Sequence, residues 1–379
     1  MKVRHSSFLI GVTAALLALT ACSAPAPQPS SSSAGGDNAA LVAEAQANVK
    51  VLYGSTSVAP KKKVERVKGA SLWIVSCGEV AVGCAVPAAG AKAAAQELGW
   101  KATVCDGKFG AANGYNDCIS QGVTAGASAI VTIGVDCEVA TASLSAAEKA
   151  GIPTATTGGA NCDSGGVAYD SLAIDPTSFY TKVARAAADT VIAETKGDAH
   201  VITVSVTGIH IYDLMIKVFK ERMSECKGCT VTEVGGGLGD LGNGNLKTAV
   251  STAITANPDA NAMFVTVDGN VGLLEIPQAL QAADRNDSVY VVAGQGTRLD
   301  LIRAGRGLDA VIGWDATWQG WALTDTALRL LAGEEISVND TSSGIALVDK
   351  THNLPKDAKS TLFADPVNYV AAFTKIWAK

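Results

Sequence analysis

Polar side chains stand directly after several short apolar runs of this 379-residue chain. Carboxylate and amide oxygens accept hydrogen bonds from the hydroxyl groups of a ligand. A ligand carboxylate would instead require an arginine or a helix N-terminus, and no arginine directly follows one of these runs. The set therefore favours a neutral polyhydroxylated ligand over a cationic one. Its members are Glu79 after SLWIVS, Asp136 after AIVTIGV, Asp268 in AMFVTVD, Gln295 in VYVVAGQ and Asp315 in AVIGWD.

Seven further residues, at or near the ends of the same apolar runs, are also candidates for contacting the ligand. Indole faces pack well on the apolar face of a sugar or polyol, and hydroxyl, amide and imidazole groups hydrogen-bond to its hydroxyls. Alternatives remain open for three candidates, because Glu79 also suits a solvated loop, His210 a structural role and one tryptophan the core. The group consists of Thr156, Thr157, His210, Tyr212, Asn270, Trp314 and Trp318.

The elements that must position these residues alternate regularly from residue 70 onward. Near-continuous apolar strands indicate a sheet covered on both faces, and strand–helix alternation indicates parallel βαβ units. Ten strands favour two sheets, with the helix at 176–196 as the crossing point. Ligands of such sheets bind at the carboxyl ends of the strands, here in a cleft between two lobes. The predicted strands are 71–76, 101–106, 129–135, 152–157, 167–172, 200–206, 230–235, 262–268, 289–295 and 310–315.

The N-terminus reads as an export signal followed by a tether. Basic residues precede the 12-residue apolar stretch FLIGVTAALLAL, which is too short to span a membrane but suits a signal peptide. Small residues then lead to Cys22, and the pattern resembles the lipobox of bacterial lipoproteins. An ordinary signal peptide with a chance cysteine is the alternative. We expect a signal at 1–21, lipid on Cys22 and a flexible linker over 22–66.

Composition excludes some classes of protein. The net charge of −6 argues against a nucleic-acid binder, and the length suggests two domains.

Apart from Cys22, eight cysteines remain, an even number that favours disulfides in an exported protein. Neighbouring positions predict four local pairs. CKGC also fits a redox motif, but it follows a helical run, which favours a static clip, and no zinc-ligand spacing is present. The predicted pairs are Cys77–Cys84, Cys105–Cys118, Cys137–Cys162 and Cys226–Cys229.

Longer stretches carry a family resemblance. AAAQELGWKATVCDG, GVTAGASAIVTIGVD and AAEKAGIPTATT, followed by AITANPDANAMFVTVD and VYVVAGQGTRLDLIRAGRGLDAVIGWD, resemble type I periplasmic substrate-binding proteins of the ribose-binding branch. The resemblance covers about residues 70–350 and implies an α/β fold of two Rossmann-like lobes with parallel sheets joined by a hinge. We expect one lobe from 67–174 with about 316–338. The other comprises 175–315 with about 339–379.

The resemblance also implies a function. It predicts a monomeric receptor, lipid-anchored at the outer face of the cytoplasmic membrane, that captures a sugar or polyol and delivers it to an ABC permease and its ATPase. No cofactor, metal, catalysis or nucleic acid is implied. A ligand sensor for a membrane signalling partner, or a receptor for an amine or amino acid, are the alternatives.

Departures from the family pattern put the ligand in question. The loop SCGEVAVGC lacks the usual aromatics, Thr156 and Thr157 replace an Asp-Arg pair, and Gln295 stands where Asp is common. His210 and Tyr212 occupy the place of a frequent Arg. The glycines of Gly237-x-Gly239-x-x-Gly242 match the dinucleotide pattern only weakly, and no G-x-S-x-G of a hydrolase is present.

Overall fold

The computed structural model describes residues 38–162, 176–285, 289–294, 298–334, 343–357, 360 and 362–378. The expected signal at 1–21, Cys22, the strand expected at 167–172 and Gln295 lie outside these residues. Within them, no helix is sufficiently long and apolar to cross a membrane.

Strands of the described residues form three sheets. Apolar residues such as Ala129, Ile130 and Val131 are buried on successive positions, as expected for strands covered on both faces. The strands are β1 (Val64–Glu65), β2 (Ser71–Ser76), β3 (Lys101–Asp106), β4 (Ala129–Ile133), β5 (Thr154–Thr157), β6 (His200–Val206), β7 (Thr230–Gly236), β8 (Ala262–Val265), β9 (Val289–Gly294), β10 (Ala310–Gly313), β11 (Ala346–Asp349) and β12 (Trp377–Ala378).

Helices connect most of these strands. They are α1 (Ala39–Val51), α2 (Val82–Glu97), α3 (Gly114–Thr124), α4 (Cys137–Lys149), α5 (Pro176–Glu194), α6 (His210–Met223), α7 (Leu238–Asn243), α8 (Asn245–Ala256), α9 (Asn270–Leu273), α10 (Ile276–Ala282), α11 (Leu299–Ala304), α12 (Ala316–Leu331) and α13 (Tyr369–Ile376). A short 3-10 segment occupies Lys108–Asn113.

The first lobe is built on a parallel sheet in the order β3-β2-β4-β5. Helices α2 and α12 pack on one face, and α3 and α4 pack on the other. Strand β2 therefore has β3 on one side and β4 on the other, so the chain reverses its direction of winding there. Such a switch point opens a crevice at the carboxyl ends of the strands.

The second lobe repeats this arrangement with the order β11-β10-β9-β8-β6-β7. Helices α1, α5 and α6 cover one face, and α8 to α11 cover the other. Its switch point lies between β6 and β8. Strand β11 adds to the edge antiparallel to β10, a strand that the sequence analysis did not predict. Two lobes with parallel-dominated sheets confirm the predicted fold class.

The predicted flexible linker is wrong for residues 39–51, which form helix α1 instead. Ala45 and Val49 are buried in the second lobe against α5. The side-chain amide of Asn38 donates to the carbonyls of Gly197 and Lys227 at 2.8 and 2.9 Å. These contacts offset the ordering entropy that would keep a polar, alanine-rich segment disordered.

A strap formed by residues 52–66 then crosses between the lobes. The Ser55 and Ser57 hydroxyls donate to Asp365 at 2.5 and 2.6 Å beside the second lobe. Further along, β1 pairs in parallel with β12 at the first lobe. The segment that leads into the fold from the N-terminus is thus bonded to both lobes.

The end of the chain differs from its predicted lobe. Residues 339–379 were assigned to the second lobe, and β11 does lie there. However, Phe373, Ile376 and Trp377 belong to the core of the first lobe, where Trp377 stacks on Trp321 at 5.5 Å. The tail returns to the first lobe because these apolar side chains pack on α12 and become buried there.

The four predicted disulfides are all present.

Candidate functional site

Three strand ends meet at the carboxyl edge of the second sheet. Asp268 follows β8, and its backbone N–H donates to the carbonyl of Ala293 at 2.9 Å. Gly294 ends β9 so closely beside it that a β-carbon there would lie 2.2 Å from the Asp268 side chain. The N–H of Trp314, after β10, donates to Gly294 at 3.3 Å. The predicted residues Asp268 and Trp314 therefore share one edge.

Two tyrosines stand beside this edge. Burial, and then the nearby Asp268 carboxylate, raises the pKa of Tyr212. Burial, and then the neighbouring Tyr212, raises the pKa of Tyr180. Both hydroxyls therefore remain protonated at neutral pH and can donate a hydrogen bond to a ligand oxygen.

An aromatic cluster places Trp314 at the junction of the lobes. Its ring meets Phe179 and Tyr180 edge-on, with centroids 5.6 and 5.9 Å apart. A β-carbon on Gly158, which follows β5 of the first lobe, would lie 3.5 Å from the Tyr180 hydroxyl. Tyr180 thus reaches from α5 to the strand ends of the opposite lobe.

On the first lobe, the loop after β2 is bonded to the loop after β3. One carboxylate oxygen of Asp106 accepts the backbone N–H groups of Glu79 and Lys108 at 3.1 and 3.0 Å. Glu79 is exposed at this edge, as expected for a residue that could meet a ligand or simply solvent. The shared acceptor fixes both loops relative to each other.

Phe109 supplies an aromatic ring that the sequence analysis missed in this region. It is exposed, and its backbone N–H donates to the carbonyl of Cys77 at 2.7 Å. The ring lies against Gly78, where a β-carbon would come within 2.6 Å of it. Glycine at 78 therefore permits this placement.

Three other predicted residues of the first lobe lie deeper. Asp136 accepts the N–H of Ala160 at 2.8 Å and joins the ends of β4 and β5. Thr156 is fully buried, with its hydroxyl 2.9 Å from that of Thr132. Thr157 is also buried. The hydrogen bonds of Asp136 and Thr156 hold the ends of β4 and β5 together.

Asp315 and Trp318 belong to the hinge and the core. The Asp315 carboxylate caps α12 by accepting the Trp318 N–H at 3.0 Å, and it accepts the N–H of Asp365 at 3.1 Å. Burial raises the pKa of Asp315, and these two N–H groups oppose the rise. Trp318 is fully buried in the core of the first lobe and packs beside Tyr369.

The remaining candidates lie after the strands of the second lobe. His210 is exposed at the start of α6, and Asn270 is buried at the start of α9. The structure also brings an arginine to this edge, because a β-carbon on Gly272 would lie 2.9 Å from the Arg298 guanidinium. Asp300 accepts two hydrogen bonds from Arg298 at 3.1 and 3.2 Å and offsets its charge.

The residues that sequence reasoning missed had weak signals. Tyr180 lies within a helix rather than after a strand, and only its position at the crossing between lobes marks it. Phe109 follows the second predicted strand, but an aromatic residue in a loop carries no hydrogen-bonding pattern that would mark it as a ligand contact. Among the described residues, no group of His, Cys, Asp or Glu side chains could hold a metal ion.

Two sheets with matching switch points, joined by a hinge and bearing polar side chains at their carboxyl edges, define the solute-binding class of two-lobed proteins. Comparison of the sequence with family models agrees. Residues 84–335, more than half of the chain, match the periplasmic binding protein domain, and the chain belongs to this family. Its members bind solutes and are not enzymes. No curated protein sequence matches the chain.

Solved structures show the same fold at low sequence identity. A 5-methylthioribose transporter solute-binding protein from Thermotoga lettingae is 18% identical, with a TM-score of 0.65 over 83% of this chain and 99% of its own. An ABC transporter solute-binding protein from Agrobacterium vitis with bound D-fucose is 18% identical, with a TM-score of 0.64 over 78% and 100%. One from Mycobacterium smegmatis with bound glycerol is 22% identical, with a TM-score of 0.63 over 78% and 100%.

Proposed function

We propose that this protein captures a sugar or polyol between its lobes and delivers it to an ABC importer. The observation that carries the proposal is the set of hydrogen-bonding groups beside Trp314, namely Tyr180, Tyr212 and Asp268. Neutral donors and a carboxylate suit a polyhydroxylated ligand, while Asp300 offsets the nearby arginine. The similar proteins bind 5-methylthioribose, D-fucose and glycerol, which supports the same ligand class here.

Binding by thermal shift tests the ligand class. The chain without residues 1–22 is heated with pentoses, hexoses, polyols, amino acids and polyamines. A ligand at 100 times its Kd stabilises a protein by about 2.7 kcal/mol, which raises the melting temperature measurably. We expect stabilisation by sugars or polyols. Hits confined to amines or amino acids would contradict the proposed ligand class but retain the receptor.

Delivery to an importer is tested by uptake. Cells that lack this protein should lose uptake of the labelled sugar identified by thermal shift, and the unaltered chain should restore it. Normal uptake in the deleted cells, together with loss of a transcriptional response to the sugar, would favour the sensor for a membrane signalling partner instead.

Lipid attachment at Cys22 is a separate part of the proposal. It rests on the basic start, the apolar stretch of 12 residues and the small residues before the cysteine. Labelled fatty acid should be incorporated into the unaltered protein but not into a Cys22→Ser variant, which should be released from membranes. Equal labelling of both would exclude this anchor.

A further inference from the structure

An exposed phenylalanine lies at the ligand edge of the first lobe. Phe109 exposes 40% of its surface and belongs to none of the hydrophobic clusters of the described residues. Its ring contacts Gly78, next to Glu79, at the end of β2 and thus at the switch point of the sheet. The apolar side chains of Val80, in the same loop, and Val82, at the start of α2, are also exposed. This edge therefore offers an apolar surface opposite the polar edge of the second lobe.

The loop that carries Phe109 has an unusual backbone. Lys108, Phe109, Ala112 and Asn113 all have positive φ, between 50° and 66°, in the left-handed region that residues other than glycine avoid. Such conformations persist only where the surrounding structure enforces them, and they concentrate at functional sites and ligand clamps.

Disulfides enforce the geometry of this edge. Cys105–Cys118 spans the loop that carries Phe109, and Cys77–Cys84 spans the loop against which its ring lies. Cys137–Cys162 joins the start of α4, just after β4, to the segment that follows β5 in the same sheet. Cys226–Cys229 instead follows α6 in the second lobe, beside Asn38 rather than at a strand end. Three of the four disulfides thus fix the loops of one edge.

We infer that Phe109 is a specificity-determining ligand contact and that Cys105–Cys118 is the pair that positions it. The ring presents a flat apolar face, so it suits a ligand with an apolar side of its own, such as the C–H face of a pyranose or a methylthio substituent. The inference rests on the proposed function, since it assigns a further contact to the same cleft.

Calorimetric titration with D-fucose, D-tagatose and 5-methylthioribose tests the contact. Phe109→Ala should weaken binding of each sugar that the unaltered chain binds, about tenfold or more, because the buried apolar area is lost. Phe109→Tyr keeps the ring and should bind within a few fold of the unaltered chain. Val370→Ala is the matched control, because Val370 is similarly exposed (42%) but lies on α13. This variant should bind each sugar with the affinity of the unaltered chain.

Paired cysteine variants test the positioning role. Cys105→Ser with Cys118→Ser should weaken sugar binding, whereas Cys226→Ser with Cys229→Ser should not, although each protein loses one disulfide. Circular dichroism at the titration temperature checks that both are folded. If the first pair does not fold, the Phe109 variants alone decide the inference.

The outcomes separate the inference from the proposed function. If Phe109→Ala binds every sugar as tightly as the unaltered chain, Phe109 is not a ligand contact. If that variant binds normally but fails to restore uptake, the ring contacts the importer, and the inference is wrong. If neither the unaltered chain nor Phe109→Tyr binds any of the sugars, the proposed ligand class is wrong. The inference about Phe109 is then wrong as well, because it rests on that class.

Discussion

At the scale of single residues, a glycine positions the carboxylate of Asp268 in the proposed site. Gly294 ends β9 beside Asp268, and the space that its missing side chain leaves is filled by that carboxylate. Any side chain at 294 must therefore displace Asp268. In the proposed site, the position of Asp268 therefore depends on the absence of a side chain at Gly294.

Gly294→Ala should consequently weaken ligand binding while the protein stays folded. A hydrogen bond to a charged group contributes about 1.5–3 kcal/mol, so losing one such bond should raise the Kd about 10-fold to 100-fold. Gly54→Ala is the control, because no atom lies within 4 Å of a β-carbon at that position. Calorimetric titration compares the two, and equal affinities would show that Asp268 does not contact the ligand.

A second residue, Arg222, joins α1 to the second lobe. Its guanidinium is almost fully buried and pairs with Asp189 at 2.7 Å, Glu44 at 3.0 Å and Glu225 at 2.5 Å. Asp189 is buried as well, and Asn48 of α1 also donates to it at 2.8 Å. The arginine thus neutralises a carboxylate that has no access to water.

Arg222→Met should lower the free energy of unfolding by about 3–5 kcal/mol, because the Asp189 carboxylate would remain buried without its partner. Lys217→Met on the same helix removes an exposed pair with Glu221 at 4.0 Å and should cost about 0.5 kcal/mol or less. Urea denaturation measures both. Similar losses in the two variants would contradict the ranking of buried over exposed pairs.

At the scale of elements, two glycines bring α12 against α2. A β-carbon on Gly320 would lie 2.2 Å from the carbonyl oxygen of Pro87, and one on Gly90 would lie 2.5 Å from that of Thr317. The backbones of the two helices therefore touch. Because α12 begins at the Asp315 cap in the hinge, this contact fixes the hinge to the first lobe.

Gly320→Ala should force the two helices apart and lower the free energy of unfolding by about 1–3 kcal/mol. Gly239→Ala is a helical control without any neighbour within 4 Å, and it should raise stability by about 0.5–1 kcal/mol because alanine loses less backbone entropy. Thermal denaturation distinguishes the variants. Stabilisation by both substitutions would show that the helices have room to separate.

The elements also show what could be predicted from the sequence. Strands β2, β3 and β6 were predicted with their observed bounds, because continuous apolar runs between turn residues leave few alternatives. Helix α1 was mistaken for linker, since its apolar stripe is weak and its stability comes from α5, far along the chain. The pairing of β1 with β12 joins the two ends of the fold, and no local pattern reports such a contact.

The site was predictable to a similar extent. Asp268 and Trp314 were selected because each lies at the end of a predicted strand, and the structure places both at one edge of the second sheet. Trp318 is instead buried in the core of the first lobe. Its burial depends on which face of α12 packs against that lobe, and the sequence alone does not give this face. Phe109 is placed by left-handed backbone and by Gly78, which residue types alone do not reveal.

At the scale of the whole molecule, the two lobes carry complementary edges. The first lobe offers Glu79 and an apolar surface, and the second offers Tyr212 and Asp268. A ligand that contacts both edges binds the closed conformation more tightly than the open one. This difference in affinity can shift the equilibrium from the open to the closed conformation. The strap of residues 52–66 also connects the two lobes, so it must move together with the hinge when the cleft closes.

Sugar binding should therefore close the cleft and reduce the radius of gyration measured by small-angle X-ray scattering. Gly294→Ala, at the same sugar concentration, should retain the scattering profile of the unliganded protein because its affinity is reduced. Adding enough sugar to saturate the variant should restore closure, since the hinge is unaltered. If the unaltered chain gave the same profile with and without saturating sugar, the ligand would bind without lobe movement, and closure could not be the signal that an importer reads.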